Sequence, residues 1–353
     1  MIIKNDYPLI RHNTFRLVSE ARLYVEYVDE LELNFIIQEH LIRQSEKNFF
    51  HLGRGSNVIL ADERYDGLVL RSAIREISIE KETEDDVYLR IGAGASWDDF
   101  VFYAASHKWY GTENLSGIPG EAGGCVFQNI GAYGAEIKDV VEWVEVLDIE
   151  TLAVRRLTRA ECLFDYRYSI FQEKINRWII LRLCVRLNKK RYERPVYEEL
   201  KEFINPKSPP GKIRRSILKL RYQKIPSHKQ GGNAGSFFKN PLLTQGEWQK
   251  LQEIEPNIPH FIDDKGRVKV PAARLIELCG LKGASNGKVA VSEMHALVLV
   301  NLGKAKAQDV TDMANRVWNT VYDRFGIHLY SEVKYISTDE NNFPWNRNVD
   351  RRT

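Results

Sequence analysis

Short alternations of apolar and polar residues are interspersed along the chain with longer stretches in which apolar residues recur every three to four positions. The pattern predicts strands and helices in mixed order. Ala21–Val28 reads as a strand and Asp29–Gln44 as a helix with Leu31, Phe35, Ile36 and Leu41 on one side. Phe49–Leu52 leads through Gly53-Arg54-Gly55-Ser56-Asn57 into Val58–Leu60, which is strand, glycine turn, strand. Gly67–Arg71 and Val87–Ile91 continue as strands and reach Gly92-Ala93-Gly94. Ser96 then stands as the N-cap of a helix with Asp98 and Asp99 in its first turn and Phe100, Val101, Ala104 and Ala105 as its apolar stripe.

Further on, Trp143–Leu147 and Leu152–Leu157 read as a hairpin, and Thr158–Ser169 as helical or turn-like. Trp178–Leu187 reads as a strand with Leu181, Leu183, Val185 and Leu187 on one face. Residues 188–232 are richer in lysine, arginine and proline (Pro195, Pro209, Pro210, Pro226) and read as a boundary region with helices at Tyr197–Phe203 and Lys212–Gln223. Lys269–Cys279 predicts a helix with Pro271 near its start and Gly280 as C-cap, and Lys288–Asn301 a strand pair or a strand and turn. Ala305–Phe325 is a long amphipathic helix stopped by Gly326, and Leu329–Ile336 a final strand on which Glu332 shares a face with Tyr330 and Lys334. The fold class expected is α+β.

A length of 353 residues predicts two or three domains. Hydrophobic content of 43% and charged content of 28% are those of a globular protein, and a net charge of +3 argues against a general nucleic-acid binder. The basic cluster Lys189–Arg194 reads as a solvated face, whereas Lys212–Arg215 leaves an anionic substrate open. Cys125, Cys162, Cys184 and Cys279 lie far apart without a CxxC pair, which excludes the usual zinc spacings and suggests no disulfide framework. The opening MIIKNDYPLIRHN lacks the apolar region of a signal peptide, and apolar runs such as Ala296–Val300 are too short to span a bilayer. A cytoplasmic location is expected.

The chemistry concentrates in glycine. Seven of the chain's 23 glycines fall between Gly111 and Gly134, within a stretch that also carries Ile118, Val126, Gln128, Asn129, Ile130 and Tyr133. Such density suits a backbone that must come close to a ligand and turn its N–H groups toward an anion. A long surface loop of tight turns is the other reading of the same composition, although the interleaved apolar residues fit it less well. Neither Gly53-Arg-Gly55 nor Gly92-Ala-Gly94 completes GxGxxG in register, and GxxxxGK[ST] is absent, so the loop architecture differs from both common phosphate cradles. Taken singly, Arg167, Ser236 and Glu332 read equally well as a surface arginine, a turn serine and an exposed strand glutamate. Ser236 does not lie in a GxSxG elbow.

Their combination is more specific. GRGSN at 53–57, SGIPGEAGGCVFQNIGAYG at 116–134, YRYSIF at 166–171, GNAGSFFKNP at 232–241, PAARLIELCGLKG at 271–283 and HLYSEVKYI at 328–336 occur in this order. The series resembles the UDP-N-acetylenolpyruvoylglucosamine reductases, flavoenzymes that make UDP-N-acetylmuramate for peptidoglycan, and covers nearly the whole chain. The segment around Tyr197, ahead of Lys224-Ile-Pro226, resembles the longer, type I form of the family.

The resemblance implies three α+β domains. Two form an FAD-binding fold of the PCMH (vanillyl-alcohol-oxidase-like) type, residues 1–70 with 327–353 and residues 71–224, and the third, 225–326, binds substrate. It implies noncovalent FAD against Gly53, Arg54, Gly55, Ser56 and Asn57 and against Ser116, Gly117, Ile118, Pro119, Gly123, Gly124, Asn129, Gly131 and Ala132, with NADPH as hydride donor and no metal. Arg167 and Glu332 match the residues that stabilise charge on the substrate carboxylate, and Ser236 matches the proton donor, aided by Lys224, Asn240 or water. Tyr197, Lys224 and Arg221 match the positions that hold the UDP diphosphate, with Tyr133, Tyr166, Asn240, His295 and Lys334 lining the pocket. His295 stands where longer-form relatives often carry glutamine, and Lys334 where arginine is frequent. A small-molecule substrate, a monomer, and neither nucleic acid nor membrane insertion are expected. The alternatives are another flavin oxidase of a sugar or alcohol on the same FAD-binding fold, although these cradles hold no histidine to tether flavin, and a non-catalytic flavin or nucleotide-binding module.

Overall fold

The structure is a computed structural model and describes residues 1–44, 49–173, 177–190, 197–227, 231–263 and 265–337, excluding the side chains of residues 40–44. It divides into two compact units, one built from Met1–Tyr7, Ala21–Arg54 and Asp66–Arg221, the other from Pro8–Glu20, Gly55–Tyr65 and the chain from Tyr222 onward. The expected positions Leu41, Pro195 and residues 191–194 of the first basic cluster lie outside what is described.

In the first unit, β1 (Ile2–Pro8), β2 (Glu20–Tyr27), β5 (Arg64–Ser72) and β3 (Phe49–His51) form a four-stranded sheet in the order β1-β2-β5-β3. Helix α1 (Glu30–Gln44) covers it with Leu33, Ile36 and Ile37, whereas Leu31 and Phe35 are exposed. The buried stripe is therefore rotated from the expected one, with Ile36 alone shared among the described side chains. The second sheet is antiparallel: β11 (Ala153–Thr158), β10 (Val141–Asp148), β12 (Trp178–Asn188), β7 (Asp86–Gly92) and β6 (Ile77–Glu82), in that order. The hairpin β10–β11 is as expected; β1 and β6, whose side chains are mostly exposed, carry no alternation to betray them.

Strand β12 corrects the single-face expectation. Opposite β10 the register passes from Glu145↔Arg182 to Val146↔Ile180, so Leu181 is one residue extra, a β-bulge. Its carbonyl takes the Ala93 N–H at 2.8 Å instead. Beyond the bulge the faces exchange. Ile179 and Leu181 pack into the α1 core, while Ile180, Leu183, Val185 and Leu187 pack into a core shared with α2 (Trp97–Ser106) and α3 (Ala122–Phe127). In α2 the expected stripe, Phe100, Val101, Ala104 and Ala105, is buried, though Ser96 makes no side-chain cap bond. A short pair, β8 (Gly131–Ala132) with β9 (Ala135–Glu136), follows α3. The expected helix at Tyr197–Phe203 is only a 3-10 turn at Glu198–Leu200, and α4 runs over Pro210–Lys224.

The second unit packs around α7 (Ala307–Phe325), whose Val310, Met313, Ala314, Val317 and Val321 enter a core with Phe237, Phe238, Leu275 and Leu329. Gly326 stops α7 in the left-handed conformation, φ +67°. Strand β4 (Val58–Leu60) pairs in parallel with β18 (Lys334–Ile336), so the two strands flanking the first glycine loop belong to different sheets. Smaller ladders join β13 (Leu242–Leu243), β15 (Val268–Lys269) and β14 (Phe261–Ile262), and β16 (Val289–Val291) with β17 (Leu299–Asn301). Helix α5 covers Gln245–Ile254, opened by a Thr244/Glu247 capping box. Helix α6 covers Ala272–Leu278, starting later than expected because Val268–Lys269 is strand and Pro271 is the N-cap. The expected final strand is also shorter: regular pairing begins only at Lys334.

Candidate active site

The first unit holds Gly53, Arg54, the 116–133 stretch, Tyr166, Arg167, Tyr197 and Arg221; the second holds Gly55, Ser56, Asn57, Lys224, Ser236, Asn240, His295, Glu332 and Lys334.

The glycine stretch is bare backbone for two different reasons. A Cβ on Gly123 would stand 2.9 Å from the Ala93 Cβ, so this glycine lets α3 lie close against the end of β7. A Cβ on Gly124 would meet nothing within 4 Å, and this residue is exposed, which leaves open backbone on the first turn of α3. In the other unit Gly55 has φ +64° and no room for a side chain, its Cβ falling 1.9 Å from the His12 carbonyl oxygen. Backbone of this kind fits the diphosphate of a dinucleotide cofactor. Several polar side chains expected to meet the cofactor are instead committed to the loop itself. Asn129 is fully buried: its Nδ2 donates to Glu136 and to the Asp165 carbonyl, and its Oδ1 accepts the Lys138 N–H. The Ser116 hydroxyl donates to the Glu113 carbonyl at 2.6 Å. Sequence alone also missed Glu121, a buried carboxylate beside Gly53 that Arg71 pairs at 2.8 Å and whose pKa burial raises.

Arg167 sits at φ +52° in a turn closed by reciprocal bonds of 3.1 Å between Asp165 and Tyr168. Asn129 holds that turn through Asp165, and Gln172 holds it through the Arg167 carbonyl. The guanidinium donates from Nη2 to the Gly131 carbonyl at 2.7 Å, and a Cβ on Gly131 would stand 3.0 Å from Nη1. Arginine 167 and the glycine stretch are thus built together, and the Tyr166 ring lies 5.7 Å from the guanidinium carbon.

Tyr133 and Tyr197 meet edge to face at 5.8 Å, and burial raises both phenol pKa values. They pack with Ile213, Ile217 and Leu220 of α4. Arg221 of the same helix is half-buried, its pKa lowered by desolvation, while Lys224 is exposed at the helix end.

In the second unit, the segment 232–239 runs between two neighbours. It bridges Val298 through Ser236 and Ser331 through Phe238. Ser236 and Glu332 are therefore brought onto adjacent strand segments. The Phe237 carbonyl accepts the N–H of Glu332 at 2.8 Å and that of Val333 at 3.5 Å, two residues against one, so a β-bulge interrupts the ladder at the glutamate. Asn57 fixes the other side: its Nδ2 donates to the Glu332 carbonyl, and its own carbonyl accepts the Lys334 N–H, both at 3.0 Å. His295 accepts the Leu297 N–H at Nδ1, 3.3 Å, which in the neutral ring puts the proton on Nε2. Asn240 spends its Oδ1 on the Ala272 N–H at the start of α6. Lys334 is half-buried, and burial together with the neighbouring Lys239 lowers its pKa to about 8.

Among the described residues no group of acidic, cysteine or histidine side chains could hold a metal, and no helix is long and apolar enough to cross a membrane.

Residues 226–336 match the family model for the UDP-N-acetylenolpyruvoylglucosamine reductase C-terminal domain, and residues 23–155 match an FAD binding domain. The chain is 38% identical over 338 residues to the UDP-N-acetylenolpyruvoylglucosamine reductase of Bacteroides fragilis, covering 95% of this chain and 100% of that protein. It is 39% identical to that of Aliivibrio fischeri, covering 83% of each. The crystal structure of the reductase from Thermus caldophilus superposes with a TM-score of 0.67 at 25% identity, covering 96% of this chain and 100% of that one. The α+β fold expected from the sequence is thus the fold found, and the chain belongs to the UDP-N-acetylenolpyruvoylglucosamine reductase family.

Proposed function

We propose that the protein reduces the enolpyruvyl ether of UDP-N-acetylenolpyruvoylglucosamine to the lactyl ether of UDP-N-acetylmuramate. The glycine loops at 53–57 and 116–132 would hold FAD noncovalently, and the bound flavin would supply hydride equivalents drawn from NADPH to the terminal vinyl carbon. Negative charge then moves toward the substrate carboxylate, and this chain's residues act on that charge. Arg167 offers a permanent cation with forked donors, suited to a carboxylate held bidentately. Glu332 assists only while it holds or shares a proton, because a bare carboxylate would oppose the charge. Ser236 passes its hydroxyl proton to the carbon beside the carboxylate. Arg221, Lys224 and Tyr197 take the diphosphate; Tyr133, Tyr166, Asn240, His295 and Lys334 line the substrate. The observation that supports this reading most directly is the ladder that puts Ser236 and Glu332 on neighbouring segments with Asn57 pinning the glutamate.

The test separates two half-reactions in anaerobic stopped flow. Ser236→Ala leaves NADPH able to bleach the flavin but slows reoxidation by the enolpyruvyl substrate by roughly 100-fold or more. Equal reoxidation by the variant and the wild type would refute the role of Ser236. A location in the reducing cytoplasm, which the four free thiols suit, and a monomeric state complete the proposal; light scattering reads the mass.

A further inference from the structure

The face of α4 that carries Arg221 is seated on the glycine stretch through a device that lies outside the motifs. Asp98, in the first turn of α2, accepts the Gly117 N–H at Oδ1, 2.6 Å, and pairs with both terminal nitrogens of Arg214, the Nη2–Oδ2 distance being 2.8 Å. Burial alone would raise the Asp98 pKa, but the bonds from Arg214 and the Gly117 N–H outweigh it and hold the pKa below the usual range. Arg214, Leu218 and Arg221 stand four and three positions apart, on one side of α4. Leu218 and Arg221 close directly over Gly117: a Cβ there would lie 2.7 Å from Leu218 Cδ2 and 3.2 Å from Arg221 Cδ and Nε, at φ +72°. The adjoining side of the helix, Ile213, Ile217 and Leu220, packs with Tyr133 and Tyr197. Gly117 is thus covered by two residues of the arm that bears Arg221, Leu218 and Arg221 itself, and is tied to a third, Arg214, through Asp98.

Resting on the proposed role of Arg221 and Lys224 at the diphosphate, we infer that Asp98 is a positioning residue for the UDP end of the substrate. By clamping Arg214 and Gly117 on one carboxylate, it docks α4 on the glycine stretch and sets where Arg221 stands. A ligand that binds the docked arm more tightly than the undocked one must stabilise the Asp98–Gly117 bond, and the coupling is reciprocal.

The experiment uses UDP as probe on the FAD-loaded protein. By calorimetry, Asp98→Asn weakens UDP binding by about tenfold, the scale of one lost buried coupling. In turnover the KM for the enolpyruvyl substrate rises by the same factor while kcat stays within about twofold. Arg214→Lys, which keeps the charge but not the fork, falls between Asp98→Asn and the wild type. A merely structural role would lower the folded fraction and kcat together without moving KM. The wild type provides a readout that no misfolded variant can confound: saturating UDP, at 100 times its dissociation constant, slows exchange of the Gly117 amide by up to about 100-fold. Unchanged Gly117 exchange, or unchanged UDP affinity in folded Asp98→Asn, overturns the inference. If the wild type itself binds no UDP, what fails is instead the reading of Arg221 and Lys224.

Discussion

Lys334 gives the chain a titration that arginine at this place could not. Its ammonium is half-buried beside Lys239, and burial first, then that second cation, lowers the pKa from the usual 10.5 to about 8. The folded form therefore disfavours the charged lysine. Above pH 10.5 both folded and unfolded chains carry it neutral, and it has no effect on stability. As pH falls toward 8 the unfolded chain takes up the proton first, and below 8 the folded chain bears the whole cost, about 3 kcal/mol at 1.36 kcal/mol per pKa unit. An anionic ligand reverses the preference by supplying the missing counter-charge. If Lys334 contacts the substrate, the dissociation constant grows by the factor by which lysine deprotonates: about twofold at pH 8 and about tenfold at pH 9, relative to pH 6.5. Calorimetry with UDP-N-acetylmuramate from pH 6.5 to 9.5, in buffers of different ionisation enthalpy, reads both affinity and proton uptake, close to half a proton at pH 8. Lys334→Arg flattens the profile, which separates this lysine from titrations of the nucleotide. An identical slope in the variant and the wild type refutes the reasoning, as does zero proton uptake at pH 8. In the ligand-free protein, Lys334→Met raises stability at pH 7 by about 3 kcal/mol and changes it little above pH 10.5.

Three further outcomes are expected. Gly55→Ala forces a side chain to φ +64° and onto the His12 carbonyl, so urea denaturation shows a loss of at least about 2 kcal/mol, and the flavin content of the purified protein falls with it. Leu33→Ala, at a buried position of α1, costs about 2–5 kcal/mol, whereas Leu31→Ala on the exposed side of the same helix stays within about 0.5 kcal/mol; thermal melts compare the two. Glu332→Gln keeps a donor at the place but loses the exchangeable carboxyl proton, so flavin reduction by NADPH persists while reoxidation by the enolpyruvyl substrate slows by roughly 10- to 100-fold in stopped flow.

The hairpin β10–β11, the long helix α7 and the α2 stripe were legible because each depends on a regular period and a local stop, such as Gly326. The failures share a cause. Leu181 and Leu183 look like one face because a sequence shows period two and cannot show the extra residue that exchanges faces inside β12. Leu31 and Phe35 look like core because an apolar side chain carries no sign of the surface it will meet, and α1 uses Leu33, Ile36 and Ile37 instead. At the candidate site, glycines and family motifs singled out whole stretches but carried no sign of the hydrogen bonds that commit side chains such as Asn129 to the loop itself. Asp98 read as a charge complementing a helix end, yet its partner Arg214 is 116 residues away, a distance over which no spacing rule operates.

The places where local rules break are concentrated on the candidate site. Nine non-glycine residues among those described have positive φ, and three of them, Asn129, Tyr133 and Arg167, belong to the glycine stretch or to the turn bonded to it. Each such conformation costs of order 1 kcal/mol and persists only where the surroundings over-determine it. Here the surroundings are visible: Asn129 spends all its amide bonds on Glu136, Lys138 and Asp165, and Gln172 ties down the carbonyl of Arg167. In the second unit the bulge at Glu332 is held from both sides, by Phe237 and by Asn57. A polar side chain consumed in this way is no longer available to a ligand, so these amides act as brackets for Arg167 and Glu332, the groups proposed to act on the substrate. Asn129→Ala should accordingly disturb Arg167 before it disturbs the flavin: reoxidation by substrate slows more than the dissociation constant for FAD rises, and the opposite order would show that Asn129 serves the cofactor directly.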